Sequence, residues 1–365
     1  MTLPIKYTFA PMEAESVDTL PTGGEWEYEP KWDGFRCLAF RDGTKVELRS
    51  KAGKSLSRYF PELVEVLKGV RATRFVLDGE ILVASARALD FDALLQRMHP
   101  AASRIAKLST ETPAILVTFD LLVDDRGKSL VELPLEERRE RLEAFATQYF
   151  TAGVRETLRL SPSTRDIRAA RRWLAGRAGL DGVVAKRVDL AYLSGTRDGM
   201  QKVKRIRTAD CVVGGFRYAT KGHVIGSLLL GLYDHGGLLH HVGFTSGLST
   251  EERRELVKVL EPLIEKPGFT GQAPGGPSRW STARSAEWEP LEPKLVVEVA
   301  YDHFSSGRFR HGTSLVRWRP DKSPKQCTID QVEQVGASAL EMLKVKTAMK
   351  RAGKGAKRAT GKRVA

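Results

Sequence analysis

Lys31 stands in EPKWDGFR, residues 29–36, whose skeleton K-x-D-G-x-R sets a lysine beside an Asp-Gly turn and returns an arginine, Arg36, as the next strand begins. Further segments carrying acidic residues, basic residues or both follow in order: LDGEI at 77–81, TFDLL at 118–122, DGVVAKR at 181–187, KVKR at 202–205 and RWRPDK at 317–322. Lysines, arginines and carboxylates in this mix offer charge neutralisation around phosphate. Alone, the first segment reads equally as a charged surface turn, because such turns are common. His223, His235, His240 and His241 raise a metal question. Adjacent histidines on a strand point to opposite faces, so these are expected at the surface or facing a bound partner, and no zinc site is expected. Cys37, Cys211 and Cys327 are too far apart to form a CxxC pair and read as reduced thiols.

The elements that must position these groups fall into two kinds. From Trp26 to about Lys204, short apolar strands (CLAF at 37–40, FVLDGEILVA at 75–84, AILVTFDLLV at 114–123) mix with helical periodicity at 61–68, 91–98, 135–146 and 166–178. Adjacent strands with few βαβ alternations predict an α+β domain with mixed, largely antiparallel sheets. Beyond Thr208 come CVVGGFRYA, SLLLGLYD and LLHHVGFT, a helix from Thr250 to about Glu265, a Gly/Pro/Ser-rich loop at 267–283, then LVVEVAYDHF and SLVRWRP. Five short strands interrupted by one helix predict a small all-β barrel of the OB-fold kind, with another compact antiparallel barrel as the alternative. The expected division is 1–205, 206–330 and a basic C-terminal tail at 331–365.

A chain of 365 residues holds two domains of ordinary size. No apolar run approaches a bilayer-spanning length, and Met1–Thr8 lacks the pattern of a secretory signal, so a cytoplasmic location away from membranes is expected. A net charge of +14 favours a polyanionic partner, without by itself naming DNA. After Leu343 the tail carries only basic charges, which reads as a flexible arm strengthening nucleic-acid binding or as a solubilising tail.

The six segments in this order resemble the covalent nucleotidyltransferase family, specifically its ATP-dependent DNA ligases, from about Glu25 through Lys322. SRYFPEL at 57–63 and FDALLQRMHPA at 91–101 are similar to the short bacterial ligase C type and to the ligase modules of end-joining enzymes. The resemblance implies an adenylation domain followed by an OB-fold domain. It also implies a DNA ligase (ATP) that seals 5′-phosphate/3′-hydroxyl nicks in duplex DNA through a lysyl-AMP intermediate and adenylated DNA, serving repair or recombination. ATP is the implied substrate, with Mg²⁺ or Mn²⁺, and a monomer is the default state.

Carried over by position, Lys31 is the implied nucleophile. Glu29 reads the adenine edge, Arg36 holds the ribose, Glu80 binds ribose and assists the metal, and Phe119 stacks on adenine. Lys186, Lys202 and Lys204 neutralise the phosphates and, with the metal, are expected to depress the Lys31 pKa so that its amine can attack. Asp181 takes a metal-ligand position that commonly carries glutamate, so its contact is expected through water. Lys51 replaces a common arginine in contacting phosphate, and Met200 stands where tryptophan is frequent. Arg317, Arg319, Asp321 and Lys322 match the segment that contacts pyrophosphate when the second domain closes, with a hinge expected near 205–209. The same lysine chemistry serves RNA ligases and capping guanylyltransferases, which stay as rivals. A non-catalytic OB-fold nucleic-acid-binding protein is the rival from another class; it explains the charge but not Lys31.

Overall fold

The computed structural model describes residues 3–84, 89–176, 180–275, 287–333 and 338–343. The strands of its first part are β1 (Glu15–Ser16), β2 (Trp26–Lys31), β3 (Phe35–Asp42), β4 (Lys45–Ser50), β5 (Arg74–Val83), β6 (Ala114–Val123), β7 (Leu158–Leu160), β8 (Gly182–Arg187) and β9 (Met200–Lys204). The helices are α1 (Pro61–Gly69), α2 (Phe91–Gln96), α3 (Ala102–Glu111), α4 (Leu135–Tyr149) and α5 (Ile167–Ala175). Two sheets form, in the orders β4-β3-β5-β6-β7 and β1-β9-β8-β2, antiparallel except at β6–β7 and β1–β9.

Every residue of β6 is buried, as expected of a largely apolar strand covered on both faces, and its buried Asp120 is paired with Arg138. One face of the five-stranded sheet meets the helices through Leu63, Leu67, Leu94, Leu142 and Phe145. On the four-stranded sheet, alternation at period 2 sends Tyr28, Val183, Ala185 and Val203 outward against Ala170 of α5. The same alternation leaves Glu29, Lys31, Val184, Lys186, Met200 and Lys202 on the opposite face, where they line a cleft. Helix α3 lies outside the expected helices. Its sequence ASRIAKLSTE buries only Ile105 and Leu108, too weak a stripe to stand out.

The second part comprises β10 (Arg207–Tyr218), β11 (Ile225–Tyr233), β12 (Leu239–Thr245), helix α6 (Thr250–Leu260), β13 (Glu289–Pro290), β14 (Val296–Tyr301), the hairpin β15 (Phe304–Ser305) and β16 (Arg308–Phe309), and β17 (Ser314–Trp318). Helix α6 starts at a full capping box, Ser249 with Glu252. The sheet runs β12-β11-β10-β14-β17, with β13 also on β10 and every pairing antiparallel.

The expected barrel is not closed. The edges of the sheet meet only at an isolated bridge between Thr245, at the end of β12, and Thr313, just before β17, with Thr245 Oγ1 donating to the Thr313 carbonyl at 3.0 Å. The sheet therefore curls without sealing. Among the described residues, no helix is long and apolar enough to cross a membrane.

Packing continues past residue 330, into the segment expected as tail. Val332 is buried in the second core, and a short helix α7 (Ser338–Met342) brings Ala339 and Leu343 into a buried cluster of the first part. Residues 344–365, which hold the tail's basic run, lie outside the described residues.

Candidate active site

The turn Trp32–Asp33–Gly34 joins β2 of one sheet to β3 of the other, so Lys31 and Arg36 reach the same cleft from opposite walls. Gly34 is required there: a Cβ would come within 2.3 Å of the Ile81 carbonyl oxygen. Gly182 faces Lys31 across the β2–β8 ladder and leaves no room for a side chain either, with the Val203 carbonyl oxygen 2.1 Å from its Cβ position. The cleft encloses about 170 Å³.

Of the residues expected to bind ATP, the structure brings Glu29, Lys31, Arg36, Lys51, Glu80, Phe119, Lys186 and Lys202 to its walls. Lys204 is not among them. It leans towards the second part and pairs with Asp302 at 3.3 Å.

Deep in the cleft, Lys186 Nζ donates to Glu29 Oε1 at 2.8 Å, with side chains only 5% and 3% exposed, and Arg139 Nη1 stands 3.8 Å from the same carboxylate. Glu27, two residues earlier on the same strand face, is pushed up by burial and by Glu29. The Phe119 ring lines the cleft with Lys186 Nζ 4.5 Å and the Arg36 guanidinium 4.6 Å from its centroid. Arg36 is fixed by a bidentate pair with Asp78, both bonds 2.6 Å. Tyr192 donates its hydroxyl to the same carboxylate at 2.6 Å and accepts the Met12 backbone N–H at 2.9 Å. Burial opposes the Arg36 charge, but Asp78 outweighs it and raises the pKa.

In the free protein the Lys31 pKa is raised, not depressed. Lys31 donates to Asp181 Oδ2, and although burial pushes its pKa down, Asp181, with Glu80 and Asp33, holds it above the ordinary lysine value. The three carboxylates outweigh the cations. The depressed lysine is Lys202, lowered by burial and then by Lys31, Lys51 and Arg197. Glu80, half-buried, is pushed up to about 8 because burial outweighs the attraction of Arg36 and Lys31. Glu80 and Asp181 both act on Lys31 and offer the oxygen donors a hard divalent cation takes, but with Asp33, which is engaged by Arg310, they do not form a group with metal-ligand spacing.

The N-terminal segment, absent from the sequence expectations, contributes Met12, Glu13 and Ala14 to the walls. Glu13 pairs with Lys51 at 3.0 Å and Arg197 at 3.5 Å, and Lys202 Nζ donates to the Ala14 carbonyl at 2.9 Å.

The second-part residues expected to contact pyrophosphate do not reach the cleft. Arg317 pairs with Glu298 at 2.7 Å, Arg319 with Asp210 at 2.8 Å and Asp321 at 2.9 Å, and Lys322 with Asp210 at 2.6 Å. Instead, the segment around the β15–β16 hairpin docks beside the turn that carries Lys31. Arg310 Nη1 bonds Asp33 at 2.6 Å and its guanidinium lies 3.3 Å from the Phe91 ring centroid, His303 approaches Asp33 at 3.4 Å, and Ser306 Oγ donates to Asp92 at 2.7 Å.

Of the four histidines, His223 and His235 are exposed as expected, while His240 and His241 depart from the expectation. His241 is buried against Phe269 and pushed down to about 3 by burial and then by Arg308 and Arg217, while His240 is half-buried and bonded to Asp234 at 2.9 Å. The strand alternation holds, but one of its two faces is core. Among the described residues, the one grouping with metal-ligand spacing is His235, Asp330 and Glu333, all exposed.

Two family models match the chain: the ATP dependent DNA ligase domain over residues 11–204 and the ATP dependent DNA ligase C terminal region over residues 221–322. The chain belongs to the ATP-dependent DNA ligase family. It is 44% identical to DNA ligase C1 of Mycolicibacterium smegmatis, across 91% of this chain and 96% of that protein. With DNA ligase C of Mycobacterium tuberculosis it shares 41% identity across 92% and 96%. A solved structure described as "Pmar-Lig_Pre." is 19% identical, covers 84% of this chain and 65% of that one, and has a TM-score of 0.54, a likeness of fold. Relatives so similar over nearly their whole length support DNA ligase chemistry with ATP as substrate, and favour neither the RNA-ligase and capping rivals nor the non-catalytic one.

Proposed function

We propose that this ligase seals nicks in duplex DNA through an AMP bonded to Lys31. The observation that carries the reading is the assembly, in one cleft, of Lys31 with an aromatic platform, Phe119, two fixed cation–carboxylate pairs, Glu29–Lys186 and Arg36–Asp78, and the further cations Lys51 and Lys202.

In the first step Lys31 Nζ bonds the α-phosphorus of ATP, the α–β phosphoanhydride P–O bond breaks and pyrophosphate leaves. Asp181 holds Lys31 as an ammonium in the free protein, so attack requires Nζ to give up a proton, and Asp181 Oδ2 is the hydrogen-bonded group placed to take it. Lys186 and Lys202 then stabilise the negative charge of the phosphoryl group in flight. Glu29 and Phe119 hold the adenine, and Arg36 and Glu80 the ribose. Mg²⁺ or Mn²⁺, held by Glu80 and Asp181, would neutralise phosphate charge. In the second step the 5′-phosphate of the nick displaces Lys31 from AMP, with Lys51 as a point-charge contact; in the third the 3′-hydroxyl displaces AMP.

We assign the adenylation domain to 1–205, the OB-like domain to 206–330 and the tail to 331–365. Arg317, Arg319, Asp321 and Lys322 act on pyrophosphate after the second domain swings about residues 205–209 to bring them over the cleft. The enzyme works as a monomer on nicked DNA in the cytoplasm, in repair. The test is sealing of an end-labelled nicked duplex, compared with nicked RNA and with the Lys31→Ala chain. Sealing of DNA alone, lost in Lys31→Ala, is the expected result; sealing that survives Lys31→Ala overturns the reading.

A further inference from the structure

The chain joins the two domains twice. It enters the second through Lys204–Arg207 and leaves it at Val332, buried in the second core, to reach α7 on the first domain. There Ala339 and Leu343, 0% and 4% exposed, join Trp32, Leu82, Ile115, Val117 and Leu180. These are neighbours of the active site. Val117 and Phe119 lie two residues apart on β6, and Trp32 follows Lys31 and is itself a wall of the ATP cleft, with its indole N–H bonded to Ser161 Oγ at 3.0 Å.

The lengths matter. From Val332 to Ala339 an extended chain reaches at most about 25 Å, and from Lys204 to Arg207 about 10 Å. Two tethers of these lengths limit how far the second domain can move while α7 stays docked. With α7 docked, the second domain is also held at Asp33–Arg310 and Asp92–Ser306, and Arg319 and Lys322 stay paired to Asp210 away from the cleft. Among the described residues, Ala339, the half-buried Met342 and Leu343 supply the apolar contact of the dock.

We propose that α7 is a strap: docked beside Trp32 it holds the second domain in the arrangement seen here, and it must leave its groove before the Arg319 segment can close over ATP. This rests on the domain swing proposed above. The strap thereby separates the adenylation step, which needs it released, from the arrangement in which the hairpin sits on the Lys31 turn.

The test measures two rates separately, Lys31 adenylation from ATP and sealing of a nick already adenylated. It uses the full chain, Leu343→Glu, and chains ending at 337 (no α7) and at 343 (α7 without the basic run), with thermal melts confirming that each is folded. Loss of one buried leucine contact corresponds to roughly tenfold or more in the docking equilibrium. Leu343→Glu and the chain ending at 337 are expected to adenylate about tenfold faster without sealing the adenylated nick faster, while the chain ending at 343 adenylates like the full chain. Equal adenylation rates for the chains ending at 337 and 343, or a parallel rise in both steps, overturns the strap alone. No adenylate on the unaltered chain overturns the lysyl-AMP reading and the strap with it.

Discussion

Replacing Lys186 with methionine tests the buried pair at the base of the cleft. Methionine keeps the length and apolar stem but removes the ammonium 2.8 Å from Glu29, whose side chain is 3% exposed. Arg139 is the next cation, its Nη1 3.8 Å from Glu29 while its other nitrogens bond Glu143 and the Ser161 carbonyl, so it offers at most partial compensation. Stranding one charge of a buried pair costs about 3–5 kcal/mol. For a domain of this size each kcal/mol lowers the melting temperature by roughly 2–4 °C, so Lys186→Met should melt on the order of 6–20 °C lower. The Lys186→Met/Glu29→Gln double variant removes both charges and should recover most of that loss, giving a coupling energy of about 2 kcal/mol or more. The assay is thermal and urea unfolding without nucleotide, so that ATP binding does not enter. A single-variant cost below about 1 kcal/mol, or additive costs in the double variant, would refute the claim that this pair is mutually dependent.

Asp78→Asn should free Arg36 from its bidentate partner and raise KM for ATP in the adenylation step by roughly 10- to 100-fold, the worth of charge-assisted hydrogen bonds; an unchanged KM counts against Asp78 as the residue that positions Arg36. Glu80, at about 8 in the folded protein, retains a proton that the unfolded chain releases near the ordinary carboxylate value. Its contribution to stability is therefore lost as pH rises from about 4.5 to about 8. Glu80→Gln should gain on the parent across that window, by on the order of 5 kcal/mol at the top, in melts taken as a function of pH. His241, pushed down to about 3, acts in the opposite sense: its contribution is complete above about 6.5 and lost as pH falls towards 3. His241→Phe should flatten the acid limb of the second domain's stability curve and, by removing two buried ring nitrogens without hydrogen-bond partners among the described residues, add about 1–2 kcal/mol at neutral pH.

Much of the cleft is legible in the sequence because strand alternation is local. Glu29 and Lys31, Lys186 with Val184, and Lys202 with Met200 fall on one face at period 2, and the Gly34 turn delivers Arg36 from the facing sheet. Asp78 carried the same signal, two residues before Glu80 on β5, and is the residue such reasoning should have added. The state of Lys31 was not legible, since it depends on the β2–β8 register that sets Lys31 opposite Gly182 and so beside Asp181. Barrel closure depends on how the edge strands β12 and β17 approach, which turns on the irregularities in β10, β11, β12 and β17 rather than on composition. The Asp33–Arg310 contact joins residues from opposite ends of the chain, and no local pattern marks either as the other's partner.

The central claim is that Lys31 carries AMP, and mass analysis of the purified protein after incubation with Mg²⁺ and ATP, or with Mg²⁺ and GTP, tests it most directly. The account predicts the mass increment of one AMP on the peptide containing Lys31, from ATP alone and discharged by adding nicked DNA. A GMP adduct, an AMP on any other lysine, or no adduct on folded protein would contradict it.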